Sequence, residues 1–505
     1  MLAKILTGTT FGLQGILVEI EVDVAGRGFP TFTIVGLPGK SIDESKERVR
    51  TAITNAGYEM PDSRITVNLA PADIPKSGSS FDLAIALGIL SASKILPQEV
   101  LNDKLFIGEL SLKGNVRPDS GIIPLILMAQ EKEIPQIYVP VDNAPESALF
   151  DHRGVHPVIS LKQLIAHLMN EAKIDPYVPI ESDIEDELES HYDLAKVKGQ
   201  EQAKRALEIA AAGFHNIHLK GPPGAGKTLL SRSMPTILPR LDKREKLEVA
   251  KIYSIIGQMN NDILRGIRPF RSPHHTTSRV GLIGGGSNPS PGEISLAHRG
   301  VLFLDEFPEY PRNVLESMRQ PLEDGMVTVS RASGTLTFPA RFLLLAASNP
   351  CPCGYMGHPK KKCVCAPGII SRYKKRLSGP LLDRIDLHID VPPVEVSELT
   401  DEFESERSSI VRARVVQART IQEKRFKDTS FLFNSEMSSG DVKKYCLLEK
   451  EAENMLNKAV ETLSLSARAY FKIIKIAQTI ADLDRHEGIL AEHIAEALQY
   501  RAKEL

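Results

Sequence analysis

The sequence predicts an α/β protein whose central domain is built round a phosphate-binding loop, and three observations carry that reading. The first is Gly221-Pro-Pro-Gly-Ala-Gly-Lys-Thr228, set between the apolar run Ile217 to Leu219 and a helix-like segment that begins Leu229-Leu230. The second is Val301-Leu-Phe-Leu-Asp-Glu306, some 75 residues later, in which four apolar residues precede two acids. Such a run fits a strand buried on both faces of a parallel sheet, ending at the edge where ligands bind. The third is a change of pattern at the two ends. Leu17-Val-Glu-Ile-Glu-Val-Asp-Val24 alternates apolar with acidic residues, as a half-exposed strand does, whereas Tyr470, Ile473, Ile474 and Ala477 recur at helical spacing.

The loop's residue types follow from what a polyphosphate needs. Consecutive backbone N–H groups of a Gly-rich turn point into one concavity, and the positive end of the following helix adds to them. Gly221, Gly224 and Gly226 let the backbone come close, while Pro222, Pro223, Ala225 and Leu229 complete the wrap. Lys227 reaches the outer phosphates as a point charge, and the Thr228 hydroxyl is suited to hold magnesium. Asp305 would support the same ion, and Glu306 would polarise the water that attacks the terminal phosphate. ATP and Mg2+ are therefore the expected cofactors and ATP hydrolysis the expected chemistry.

At 505 residues the chain is too long for one core, and roughly three domains are expected. A formal charge of −2 gives no global field towards nucleic acid, so any such binding must use local patches. The start of the chain has no long apolar core or cleavage site, and no stretch is apolar enough to span a bilayer; the expectation is a cytoplasmic protein without a membrane partner. Four of the five cysteines fall within Cys351 to Cys365, which suggests metal binding in a reducing compartment more than a disulfide framework.

Residues 1–168 read as mixed α and β, with strands near Leu17 to Val24, Thr31 to Val35 and Arg64 to Leu69 and a helix from Ser41 to Ala56. Ser80 opens a further helix, and Phe106 to Pro118 follows as a hairpin. This front resembles the peptidase domain of Lon proteases, of the ribosomal S5 domain 2-like type, in which a serine is activated by a lysine on a later helix. Ser80 falls at the serine position, but Ile123 stands at the lysine position. An isoleucine cannot accept a proton, so the resemblance implies the fold without the peptidase chemistry.

Residues 169–192 read as an acidic linker, since Glu181-Ser-Asp-Ile-Glu-Asp-Glu-Leu-Glu189 holds six acids and no base. The next segment, 193–395, resembles an AAA+ ATPase core. Val197 and Gly199 match the segment that wraps adenine. Asn349, after the apolar strand Phe342 to Leu345, resembles sensor 1, although an asparagine there also suits a turn cap. Arg384, in Leu381-Leu-Asp-Arg-Ile-Asp386, resembles an arginine finger, with an ion pair to Asp383 or Asp386 as the plainer reading. Residues 396–505 read as a helical lid, and Arg468 at the start of its amphipathic helix resembles the sensor 2 arginine.

Extra segments interrupt the core. Arg268-Pro-Phe-Arg-Ser-Pro-His-His-Thr-Thr277 lies between the loop and Asp305, and Gly325 to Phe338 alternates about a turn as a β-hairpin does. Both resemble the insertions of magnesium chelatase motors and replicative helicases, whose hairpins face a ring's pore. His274 and His275 lack a nearby Cys or carboxylate pattern, which favours a packed or polar loop over a metal site. Two Cys-x-Cys pairs, Cys351/Cys353 and Cys363/Cys365, are joined by nine residues; they read either as one tetrahedral Zn2+ site or as free thiols in a surface loop. Lys360, Lys361 and Lys362 lie at the tip of that loop, with Tyr355 and Tyr373 as candidates to stack on bases.

Taken along its whole length, the chain resembles the ComM/YifB family of magnesium chelatase-like AAA+ ATPases. The resemblance implies a hexameric, ATP-driven DNA motor that moves branched or single-stranded DNA during recombination and natural transformation, with Arg331 on the pore hairpin and Lys360 to Lys362 as DNA contacts. The rival readings are a chelatase motor for metal insertion into porphyrin, a protein-remodelling ring and a nucleotide-gated scaffold.

Overall fold

Alternation gives the strand Gln14–Val24 one face for a core and one for water. Val18, Ile20 and Val22 are wholly buried, while Glu19 and Glu21 on the other face share the ammonium of Lys4 at 2.8 and 3.2 Å. The computed structural model describes residues 2–25, 29–36, 40–71, 80–150, 154–178, 192–286, 289–331, 334–394 and 405–502; the side chains of residues 40–43 and 331 lie outside that description. The whole acidic stretch 181–189, with its surroundings 179–191, therefore lies outside the described residues.

The described residues form two units, Met1–Asp183 with Asp242–Arg265, and Ile184–Leu241 with Gly266–Leu505. In the first, a seven-stranded mixed sheet runs in the order Thr31–Val35, Arg64–Ala70, Gln14–Val24, Leu2–Phe11, Lys104–Phe106, Gln136–Pro140, Val155–Val158. The helix Asp82–Ala92, buried along its whole length, covers the sheet through Leu83, Ile85 and Leu87. Its one charge, Asp82, meets the Arg48 guanidinium at 2.8 Å, as a buried carboxylate requires. Glu109–Leu110 and Val116–Arg117 form the short hairpin expected there.

One assignment was not visible in the sequence. The helices Lys243–Ile255 and Asn261–Leu264 come after the phosphate loop in the chain but pack with the first unit. The helix Lys243–Ile255 starts at a capping box of Asp242 and Glu245, which satisfies its first amides, and buries Val249, Ile252 and Tyr253. Near its end, the Ser254 hydroxyl accepts from the Ile123 amide at 3.2 Å and donates to the Glu146 carboxylate at 2.8 Å. The position that resembles the Lon lysine is thus an apolar side chain, fully buried, whose amide serves packing.

In the second unit all five strands of the main sheet are parallel, in the order Phe270–Arg271, Val301–Leu304, Leu343–Ser348, Ile217–Lys220, Leu387–Asp390. Val301–Leu304 is apolar on both faces and Leu343–Ser348 nearly so, as burial between helices demands, whereas Ile217–Lys220 sets Ile217 and Leu219 on one face and the buried His218 on the other. The helices Ser408–Arg425, Lys450–Leu463, Ala467–Leu483 and Ala491–Gln499 come next. Val415, Ile473, Ile480 and Ile494 join the same core as the sheet. Among the described residues no helix is long and apolar enough to cross a membrane.

Removing the Ser254 hydroxyl leaves a buried amide and a buried carboxylate each short of a partner. Ser254→Ala is expected to destabilise the first unit by about 1–3 kcal/mol, read as a lower urea midpoint with an unchanged slope.

Candidate nucleotide site and metal centre

Parallel pairing brings three strand ends level: Lys220 lies beside Ser348, and Leu304 beside Ala346. The residues that leave those ends meet in one place. Gly221 donates its N–H to the Ser348 carbonyl at 3.1 Å, and a Cβ on it would stand 2.2 Å from the Val391 carbonyl oxygen, so only glycine fits. Gly226, at φ +82, turns the chain into the helix Lys227–Ile237. A cavity of about 390 Å³ is lined by Pro223, Gly224, Ala225, Gly226, Lys227, Thr228 and Leu229, with Asp305, Glu306, Ser348 and Asn349.

Polar contacts within it join the residues of the separate motifs. The Lys227 ammonium donates to the carbonyls of Gly221 and Pro222 at 2.7 and 2.9 Å and to the Asn349 side-chain oxygen at 3.1 Å. Burial lowers its pKa, against the nearby Asp305 charge, which raises it. The Thr228 hydroxyl donates to Asp305 at 3.0 Å, so the two groups suited to magnesium are already adjacent. Glu306 adopts φ +51 and ψ 41, a left-handed conformation that costs a glutamate about 1 kcal/mol or more. Its amide is bonded to the Asp305 carboxylate at 2.9 Å.

A residue not singled out for this site also reaches it. His275 Nδ1 is 3.1 Å from the Glu306 carboxylate. Its ring lies against His274, with centroids 4.1 Å apart, and edge-on to Tyr310 at 6.5 Å. The Tyr310 hydroxyl in turn donates to the Pro273 carbonyl at 2.5 Å, which fixes the segment from both sides. Asking which strand neighbours Val301–Leu304 would have found His275, because Phe270–Arg271 is that strand and His275 comes shortly after it.

Other expected site residues lie elsewhere. Val197 is buried in the core and Gly199 turns the chain at φ +62; neither lines the cavity. Arg384 and Arg468 line a second, larger cavity of about 670 Å³. There both bond Glu323, Arg384 through Nη2 and Arg468 through Nη2 at 2.8 Å, so the ion pair of Arg384 is with Glu323 rather than with Asp383 or Asp386. Arg331 ends the strand Met326–Arg331, which pairs with Gly334–Pro339 as a hairpin, and its side chain lies outside the described residues.

The sulfurs of Cys351, Cys353, Cys363 and Cys365 all lie within 4.8 Å of one another. Three of their separations are 3.4, 3.6 and 3.6 Å, close to the edge of roughly 3.8 Å for four sulfurs held about 2.3 Å from one ion. Amides of Tyr355 and Val364 lower the Cys353 pKa, while burial and the crowding of neighbouring thiols raise those of Cys363 and Cys365. Four thiols in this arrangement fit a tetrahedral zinc ion, and they form the one group of metal-binding side chains found among the described residues; His274 and His275 belong to none. The loop touches the nucleotide cavity, since a Cβ on Gly354 would stand 2.5 Å from the Pro223 ring. Lys360, Lys361 and Lys362 are exposed, with Lys361 lying 4.9 Å over the Tyr355 ring. Tyr373 is buried and cannot stack on bases, because its helix packs that face inward.

Comparison with known proteins bears on the whole chain. Residues 193–399 match the magnesium chelatase subunit ChlI family, residues 20–143 the family of subunit ChlI of Mg-chelatase, and residues 405–501 its C-terminal family. Competence protein ComM of Haemophilus influenzae is 42% identical over 505 residues, covering 99% of this chain and 97% of its own. The uncharacterized protein YifB of Escherichia coli K12 is 41% identical over 503 residues, with 99% and 97% covered. Shorter likenesses are to Lon protease 2 of Bacillus subtilis, 33% identical over 145 residues and 26% of each chain, and to the magnesium-chelatase 67 kDa subunit of Heliobacterium mobile, 25% identical over 331 residues, 58% of this chain and 49% of its own. With its phosphate loop, paired acids and full-length likeness to ComM and YifB, the chain belongs to the ComM/YifB family of magnesium chelatase-like AAA+ ATPases.

Proposed function

We propose that this protein is a ring-forming, cytoplasmic ATPase that moves along branched or single-stranded DNA. One observation carries the assembly: Arg384 and Arg468 line a different cavity from the phosphate loop. This separation fits an arginine supplied by a neighbouring copy, so in our reading the working site is composed of two subunits within a ring, which the family resemblance implies is a hexamer. In that site Lys227 holds the outer phosphates, Thr228 and Asp305 hold Mg2+, and Glu306 orients water. Asn349 senses the terminal phosphate, and Val197 and Gly199 are assigned to the adenine by resemblance alone. His275 keeps the Glu306 carboxylate aimed.

DNA as the partner is supported by the likeness to a competence protein over nearly the whole chain. It is also supported by the exposed Lys360 to Lys362, which offer phosphate contacts on a chain of net charge −2. The hairpin Met326–Arg331 and Gly334–Pro339 would track the strand, with Arg331 at its end. Zinc is the metal we assign to the cysteine site, where it would hold the lysine-bearing loop in shape. The first unit is read as Lon-like without peptidase activity, since Ile123 offers no base. A magnesium chelatase motor is the second reading, favoured by the family matches and by the partial likeness to the 67 kDa chelatase subunit.

ATP turnover separates the two. Branched or single-stranded DNA is expected to raise turnover several-fold over the Lys227→Ala blank; turnover indifferent to single-stranded, duplex and four-way-junction DNA in assembled protein favours the chelatase reading. His275→Ala is expected to lower kcat about tenfold with little change in ATP affinity, as seen by steady-state kinetics beside equilibrium nucleotide binding. Elemental analysis is expected to find one zinc per chain, lost in Cys363→Ser; metal-free protein with four titratable thiols in that loop would remove the zinc assignment.

A further inference from the structure

Glu323 lies near the end of the short helix Arg319–Asp324, and Gly325, at φ +65, then turns the chain into the hairpin strand Met326–Arg331. Its two carboxylate oxygens are divided between two cations. Oε2 accepts from Arg384 Nη2, and Oε1 accepts from Arg468 Nη2 at 2.8 Å. These arginines lie 84 positions apart in the chain (468 − 384) and would repel at close range without a shared anion.

Neither arginine is used up by the contact. Arg384 is held by the Pro380 carbonyl through Nη1 at 2.6 Å, with its side chain 12% exposed, yet its Nε is buried with no acceptor. Arg468 gives one N–H to Glu323, and its others meet no acceptor among the described residues; its side chain is 46% exposed. The two guanidiniums outweigh Glu323 by one charge, and the half-exposed Arg468 keeps donors to spare at a cavity of about 670 Å³, which Asp324, Asp383, Asp386 and Glu436 also line. The other cations of that cavity are otherwise engaged: Lys472 bonds the Ile385 carbonyl at 2.7 Å, Lys475 the Ser435 carbonyl at 3.0 Å, and Arg341 the Glu436 carboxylate at 2.9 Å.

We propose that Glu323 is a positioning residue, which holds Arg384 and Arg468 together as one grip for the terminal phosphate of a nucleotide bound by a second copy of this chain. The proposal rests on the reading that the working site is composed of two copies. A single carboxylate is a weaker partner for these donors than a magnesium-bound triphosphate, so it can orient the pair and yield to the ligand. Glu323 stands two residues before Gly325 at the foot of the hairpin, next to it in the chain.

The test compares DNA-free ATP turnover of the assembled parent with Glu323→Gln, Glu323→Asp, Arg384→Ala and the double variant Glu323→Gln/Arg384→Ala. Glu323 is half exposed, so its own substitutions are expected to leave folding intact, and an unchanged urea midpoint checks this for Arg384→Ala and the double variant, since Arg384 is mostly buried. Glu323→Gln is expected to lower kcat about tenfold, leave the affinity for a non-hydrolysed ATP analogue unchanged and lose further activity by less than about twofold when added to Arg384→Ala. Glu323→Asp should recover part of the loss. Mixing Glu323→Gln copies with Lys227→Ala copies should give more turnover than either alone, since the first supplies the phosphate loop and the second the grip. Turnover of Glu323→Gln at or above the parent, or losses that add to those of Arg384→Ala, would overturn the proposal. Full turnover in Arg384→Ala would instead remove the two-copy reading on which it stands. A parent indifferent to DNA would count against the DNA motor alone, because every comparison here is made without DNA.

Discussion

Three parallel strands that end level with one another govern the chemistry of the second unit. The pairing of Leu304 with Ala346 and of Lys220 with Ser348 is a backbone property, set by the hydrogen-bond ladder and insensitive to the residues that leave each strand. Chemistry enters through those departing residues: a glycine loop after one strand, two acids after the second, an asparagine after the third. Burial of Val301, Phe303, Leu343, Leu345, Ile217 and Leu219 supplies the stability that keeps those ends in register, including a glutamate held at positive φ.

Cations in this unit are stored in two ways. Lys227 rests on backbone carbonyls and an amide oxygen, partners that carry no charge and compete poorly with phosphate. Arg384 and Arg468 rest on a carboxylate instead, which sets their direction while leaving donors unused. The overall charge of −2 conceals both arrangements, and the exposed lysines of the cysteine loop as well.

How much of this was legible in the sequence depended on distance along the chain. The phosphate loop, the strand before Asp305, the hairpin about residues 332–333 and the amphipathic helix from Ala467 declare themselves because each pattern is complete within a few turns of chain. The cysteine cluster was legible for the same reason, its two pairs being separated by nine residues. His275 beside Glu306 and Glu323 between two arginines were not, since their partners lie 31, 61 and 145 positions away and no local period encodes sheet order. Tyr373 misled because a tyrosine in a basic stretch suggests exposure, whereas the helix Pro367–Lys374 turns it inward. The ion-pair partner of Arg384, Glu323, and the contact of Asn349 with Lys227 were likewise hidden by distance along the chain.

The helices at Lys243–Ile255 and Asn261–Leu264 belong by packing to the first unit although the second unit's chain encloses them. The genetic consequence concerns heredity of parts. A unit interleaved in this way cannot be exchanged by a single crossover at the acidic stretch, because the recombinant would inherit a seven-stranded sheet from one parent and the helix that covers Ile123 from the other. Ser254 and Glu146 must then descend together, and the two units drift as one inherited block instead of shuffling as separate cassettes.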